Sequence, residues 1–206
     1  MKGIIRIACL GLWFAMVGSS CSPPETKPTP EDISVLSATL KHFLALATSW
    51  ASVHEIPIMR RDLREILTRT MLLIDPTTLP GNKMMSDREL TEFLASSGLQ
   101  LDASLLRNLR QRNGTVVSLD VLRDQCSNFL VVPTSGFRGD SSDMEDVYAD
   151  ANAFVRVLLP GYDRKGTSAV VQFQLGPSPH GAFAIYHLVK AGGLWQVDWY
   201  RMISFS

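Results

Sequence analysis

The chain has 206 residues, 46% of them hydrophobic, and 20 basic residues stand against 20 acidic ones. That length supports a real core in one domain of ordinary size, and the charge balance excludes the basic footprint of a nucleic-acid binder. The densest positive stretch, Arg60-Arg61-Asp62-Leu63-Arg64, reads as a solvated helix face.

In chain order, Lys2 and Arg6 form a basic n-region, and Ile7 to Val17 is an uncharged apolar run of about eleven residues, the length of a signal h-region. It is too short to span a bilayer, which takes about 20 apolar residues. Gly18, Ser19 and Ser20 supply the small residues a signal peptidase needs, and Cys21 follows directly. This run resembles the lipobox of bacterial lipoproteins, with Gly18 standing where Leu is commonest. The resemblance implies that residues 1–20 are a cleaved signal peptide and that Cys21 is the lipidation site. Its thiol takes a diacylglyceryl group and its freed amine a fatty acyl chain such as palmitate. The alternatives are an ordinary secretory signal cut after Ser20 or nearby, and an uncleaved anchor. Two or three acyl chains hold a membrane stably where one does not. Ser22 rather than Asp follows the cysteine, which by the same resemblance favours the outer membrane in a diderm organism.

Cleavage takes Lys2 and Arg6 away, so 18 of the 20 basic residues remain beside 20 acidic ones, a net charge of −2. It also removes Cys9, and acylation uses Cys21, leaving Cys126 without a disulfide partner. Cys126 is read as a buried, inert thiol.

Ser22 to Glu31 holds four prolines and favours extended polyproline II, so residues 21–31 read as a tether of roughly 30 Å. Residues 32–206 read as one domain. Thr29, Pro30, Glu31 and Asp32 open a helix as N-cap, first helical proline and acids at the positive dipole end. Leu36, Leu40, Phe43, Leu44 and Ala47 continue it to about Val53. A second helix is expected over 58–68. Met71 to Ile74 reads as a buried strand, with a continuation of that helix as the alternative, and 77–83 as a loop. Ser86 and Glu89 make a capping box for a helix closed by Gly98. Asp102 caps the next helix, and Asn113-Gly114 ends it. Phe129 to Val132 is strand-like, 134–143 a loop, and 144–149 a short helix.

From Asn152 the period changes to two. Strands are expected over 153–159, 168–175, 182–190 and 194–205, with turns at Pro160-Gly161, Asp163 to Gly166 and Gly192-Gly193. On the last strand Trp195, Val197, Trp199, Ile203 and Phe205 are expected on one face. The fold class is therefore α+β, N-terminal helices packed on a C-terminal antiparallel meander. The strand-and-turn run "TSAVVQFQ", "AFAIYHLVK" and Gly193-Leu194-Trp195, together with "LIDPTTL" at 73–79, resembles an uncharacterised family of bacterial secreted proteins that implies no activity. The helices-then-sheet order is also similar to nuclear transport factor 2-like cones, a fold-level likeness that implies a small-ligand pocket.

Few residue constellations carry chemistry. His54-Glu55 begins a zinc motif, H-E-x-x-H, but the second histidine is absent and Pro57 breaks the helix it needs. Asp140, Asp143, Glu145, Asp146 and Asp150 are oxygen-rich but match no calcium loop. Gly176 to Gly181 departs by one residue from a nucleophile elbow and joins two strands, so it reads as a loop. Ser178 and His180 within it are the ligand-contact candidates. His187 with Asp198 on the neighbouring strand reads as a satisfied sheet histidine rather than an acid–base dyad. No C-x-x-C, Walker A or dinucleotide fingerprint is present, and no metal or cofactor is expected. The expected function is a non-enzymatic, lipid-anchored envelope protein that binds a protein partner or acts structurally, with the membrane as partner through Cys21. The alternatives are a small-ligand-binding module and a hydrolase using His180 or His187.

Overall fold

A computed structural model describes residues 27–53, 71–78, 85–132, 151–176 and 182–204. Among these, three α-helices accompany a seven-stranded, mostly antiparallel sheet. The helices are α1 (Pro30–Val53), α2 (Asp87–Ser96) and α3 (Ala103–Arg112). The strands are β1 (Met71–Ile74), β2 (Phe129–Val131), β3 (Ala151–Val157), β4 (Gly161–Tyr162), β5 (Ser168–Gly176), β6 (Ala182–Ala191) and β7 (Leu194–Ser204). The order across the sheet is β2-β1-β3-β5-β6-β7, with β4 paired to β5. The fold class is α+β. The helices expected at 58–68 and 144–149 lie outside the described residues.

Two features depart from the sequence expectation. β1 runs parallel to both β2 and β3, so the sheet extends beyond the C-terminal strands. Pro160-Gly161 does not turn the chain; Gly161 and Tyr162 pair with Val170 and Ala169, and the turn comes at Asp163 to Gly166. Gly161 reaches that position because it has no side chain. A β-carbon there would stand 2.6 Å from the Leu105 carbonyl oxygen and from the Leu109 nitrogen, so α3 crosses β4 backbone to backbone.

Alternation along β5 and β6 sorts the core onto two faces. Ala169, Val171 and Phe173 with Ala184, Tyr186 and Leu188 pack with Val35, Leu36, Leu40, Phe43 and Leu44 of α1. Val170 and Ile185, of opposite parity, pack with Leu90 and Leu94 of α2 and Leu105 and Leu109 of α3. The helices thus cover both faces of the sheet.

Local signals explain the helix ends. Thr29 caps α1, accepting from the Asp32 N–H at 3.2 Å, while the Asp32 carboxylate accepts from the Thr29 N–H and hydroxyl at 2.8 Å each. Ser86 and Glu89 form the expected capping box, and the Asp102 carboxylate accepts from the Ser104 N–H at 2.6 Å. Asn113 stops α3 by turning its buried amide onto the Leu159 backbone, donating to its carbonyl at 2.9 Å and accepting from its N–H at 2.8 Å.

The two helical layers meet around the β4 end of the sheet. The Asp32 side chain, fully buried, receives both terminal nitrogens of Arg112 at 2.6 and 2.7 Å and the Tyr162 hydroxyl at 2.8 Å. Arg112 also donates to the Pro160 carbonyl at 2.7 Å and lies over the Tyr162 ring. Burial pushes the Asp32 carboxyl up, but the bonds from Arg112 and Thr29 outweigh it and hold the group below the usual aspartate range. Burial likewise pushes the Tyr162 phenol far above its ordinary value, assisted by the Asp32 charge.

Asp32→Ala leaves Arg112 without its counter-charge and is expected to destabilise the domain by about 3–5 kcal/mol in a denaturant titration. Because the folded pKa of Asp32 is depressed, its contribution is complete above the unfolded value of about 3.9 and fades as pH falls further. The wild type should therefore lose stability below about pH 4 more steeply than Asp32→Ala. Gly161→Ala forces α3 off β4 and is expected to lose about 1–3 kcal/mol, read as a lowered thermal midpoint.

Candidate functional site

A register shift in β7 sets up the most chemically capable cluster. Opposite β6, His187 pairs with Trp199 while Leu188 pairs with Val197, so Asp198 is an extra residue, a β-bulge. The bulge reverses the alternation beyond it. Trp195, Val197 and Tyr200 pack on the α1 face, while Trp199 packs on the α2–α3 face. The single face expected for Trp195, Val197 and Trp199 is thereby corrected; the Ile203 side chain and Phe205 lie outside the description.

The same bulge brings Asp198 to His187. The Asp198 carboxylate stands 3.0 Å from His187 Nδ1, and the Trp199 ring stacks on the imidazole with centroids 5.3 Å apart. On the other side, the Ser168 hydroxyl stands 2.6 Å from His187 Nε2. Ser168 opens β5 opposite Val189, and His187 lies opposite Val170, so hydroxyl and ring meet diagonally across the β5–β6 pair. With the ring hydrogen on Nδ1 given to Asp198, Nε2 accepts the serine proton. The line carboxylate–imidazole–hydroxyl is half-open to solvent: His187 is 16% exposed and Asp198 49%. The expected His187–Asp198 pair is thus present, and Ser168 joins it. Sequence reasoning missed Ser168; its placement two positions before Val170, on the same face, was the available signal.

The backbone at Ser168 is held by Asp163, whose Oδ1 accepts from the Thr167 and Ser168 N–H groups at 2.8 and 3.1 Å. These bonds hold the Asp163 carboxyl below its usual range against the opposing effect of burial. Between this turn and the start of α3 lies an open cleft of about 520 Å3, lined by Asp102, Ser104, Arg107, Arg164, Lys165 and Thr167.

A second cluster lies on the opposite face, under α1. The rings of Phe173, Tyr186 and Tyr200 stack in turn, each pair 5.4 Å apart, and His42 meets Tyr186 and Tyr200 edge-on. Among the described residues, the buried Tyr186 hydroxyl, His42 Nδ1 and Ser37 Oγ have no hydrogen-bond partner; nor have both amide atoms of Gln172, which lies on the other face, opposite Ile185. Burial pushes the Tyr186 phenol far up and holds the His42 imidazole below its ordinary value.

Cys21, Ser178, His180, His54 and the acids of 140–150 lie outside the described residues. Cys126 is free and half-buried, its Sγ 3.7 Å from Asn128 Oδ1. Among the described residues no group of three side chains is placed to hold a metal, and no helix is long and apolar enough to cross a membrane. Compared with known protein families, curated proteins and solved structures, the chain matches none.

Proposed function

We propose that this chain is a lipid-anchored cell-envelope protein whose domain binds a partner at the membrane surface. One observation carries the reading: a basic n-region at Lys2 and Arg6, an apolar run over 7–17, small residues and Cys21 stand in that order, with a proline-rich stretch directly after. Acyl chains on Cys21 hold the membrane, the stretch between Cys21 and the Thr29 cap of α1 spaces the domain from it, and Ser22 favours the outer membrane in a diderm host. The finer architecture belongs to the same reading: helices that precede the C-terminal antiparallel strands and cover them. The alternation of packing along β5 and β6 supports it.

A second reading, a small-ligand module, is favoured by the orphaned polar atoms under α1. A buried polar atom without a partner costs about 1–3 kcal/mol, and a ligand with a hydrogen-bonding group set among the His42, Tyr186 and Tyr200 rings would relieve it.

Growth on labelled fatty acid tests the anchor. The wild type should carry label and sediment with membranes, and Cys21→Ala should lose both; an unlabelled, soluble wild type overturns the reading. For the ligand module, Tyr186→Phe should leave stability unchanged or raised by up to about 1 kcal/mol, since the hydroxyl it removes has no partner among the described residues. Native mass spectrometry of the full chain should find a small molecule on the wild type that this variant loses. Marked destabilisation by Tyr186→Phe, or a bare wild-type chain, counts against a ligand there.

A further inference from the structure

We propose that Ser168, His187 and Asp198 form an acyl-transfer site in which Ser168 is the nucleophile. A neutral imidazole has one donor and one acceptor nitrogen. Here both ring nitrogens are engaged, by a carboxylate at 3.0 Å and by a hydroxyl at 2.6 Å. Among the described residues His187 is the sole partner of the Ser168 hydroxyl. Nucleophile, base and orienting group therefore follow one another at hydrogen-bond distance, on two adjacent strands and a bulge. Trp199 stacks on the ring and fixes its plane, and the Asp163 bonds to the Thr167 and Ser168 N–H groups fix the serine backbone.

The step balances without a co-reactant other than water. Ser168 Oγ attacks the carbonyl carbon of an ester or thioester, and its proton passes to His187 Nε2. The C–O or C–S bond breaks, and His187 gives that proton to the departing alcohol or thiol. Water, deprotonated by the same nitrogen, then cleaves the acyl-serine to a carboxylic acid and the free hydroxyl. Asp198 touches no substrate; it is a positioning residue that keeps the ring hydrogen on Nδ1.

The surroundings set the substrate class. The backbone donors at Ser168 and Thr167 are already given to Asp163, so they do not stabilise an oxyanion. A single such donor is worth about 10²–10³ in rate, which restricts the site to activated esters and thioesters. The Thr167 wall of the cleft adjoins Ser168 along the chain. The cleft is lined by the basic Arg107, Arg164 and Lys165 and the acidic Asp102 and Asp163, an excess of one positive charge that favours an anionic group on the acyl substrate. This activity departs from the non-enzymatic expectation and is independent of lipidation at Cys21, so either can fail alone.

The test is labelling of the purified full chain with a fluorophosphonate probe, beside hydrolysis of p-nitrophenyl acetate. The probe should appear on the peptide containing Ser168, and Ser168→Ala should lose the label and at least tenfold of the hydrolysis at an unchanged thermal midpoint. Asp198→Asn keeps the shape of the carboxylate but favours the wrong tautomer. It should slow labelling at least tenfold and displace the pH profile of hydrolysis, which loss of a merely structural contact would not do. A label that is absent or sits elsewhere, or wild-type rates in both variants, overturns the proposal.

Discussion

The buried Asp32–Arg112 pair is the constraint on which the arrangement of layers depends. A carboxylate removed from water must have its lone pairs filled, and here Arg112, Tyr162 and Thr29 fill them together. Those partners come from the end of α3, from β4 and from the residue that caps α1. An apolar contact at the same place would tolerate sliding, whereas a two-pronged guanidinium does not. The pair therefore sets the first turn of α1 against the last turn of α3, on opposite sides of one sheet. Glu31, the residue before Asp32, adds a second tie by accepting from Lys190 at 2.6 Å and from the Trp195 indole at 2.7 Å. Successive side chains in the first turn of one helix thus reach neighbouring parts of the sheet, where the Tyr162 and Trp195 rings stand 5.9 Å apart.

What the sequence made legible was local. Thr29 as a cap, the Ser86–Glu89 box, the Asp102 cap and the Gly192-Gly193 hairpin all act within a few residues. At that hairpin both glycines adopt φ values of 57° and 82°, a left-handed pair that other residues adopt only at a cost. Long-range pairing was not legible. Asp32 reads as a dipole partner because its role opposite Arg112, 80 residues on, leaves no local trace. Pro160-Gly161 has turn chemistry but a strand role, because the glycine is needed for contact with α3. The β7 bulge inserts one residue into an alternation that otherwise looks continuous, so Trp199 seems to belong with Trp195. The candidate site was half legible for the same reason. His187 and Asp198 lie on neighbouring strands of an obvious hairpin, while Ser168 meets them only once the β5–β6 register is known.

The two clusters are separated by the thickness of the sheet. Tyr186 and His187 are consecutive residues, so alternation sends one to the stacked rings under α1 and the other to the serine and aspartate opposite. A change in β6 is therefore felt on both faces, and β6 is the element through which the clusters are mechanically joined.

The β7 bulge has a consequence for how copies of this chain behave toward one another. Among the described residues β7 is the last strand on its side of the sheet, and it runs for 11 residues, long enough to template a neighbour. A straight strand of that length, with its outer row of N–H and C=O groups open, invites edge-to-edge growth into ribbons. The extra residue at Asp198 breaks the regular spacing of that row midway. An incoming strand meets a kink instead of a uniform ladder, which disfavours edge-to-edge pairing where it would otherwise be longest. One inserted residue thus both turns a carboxylate toward His187 and interrupts the regular outer border of the sheet.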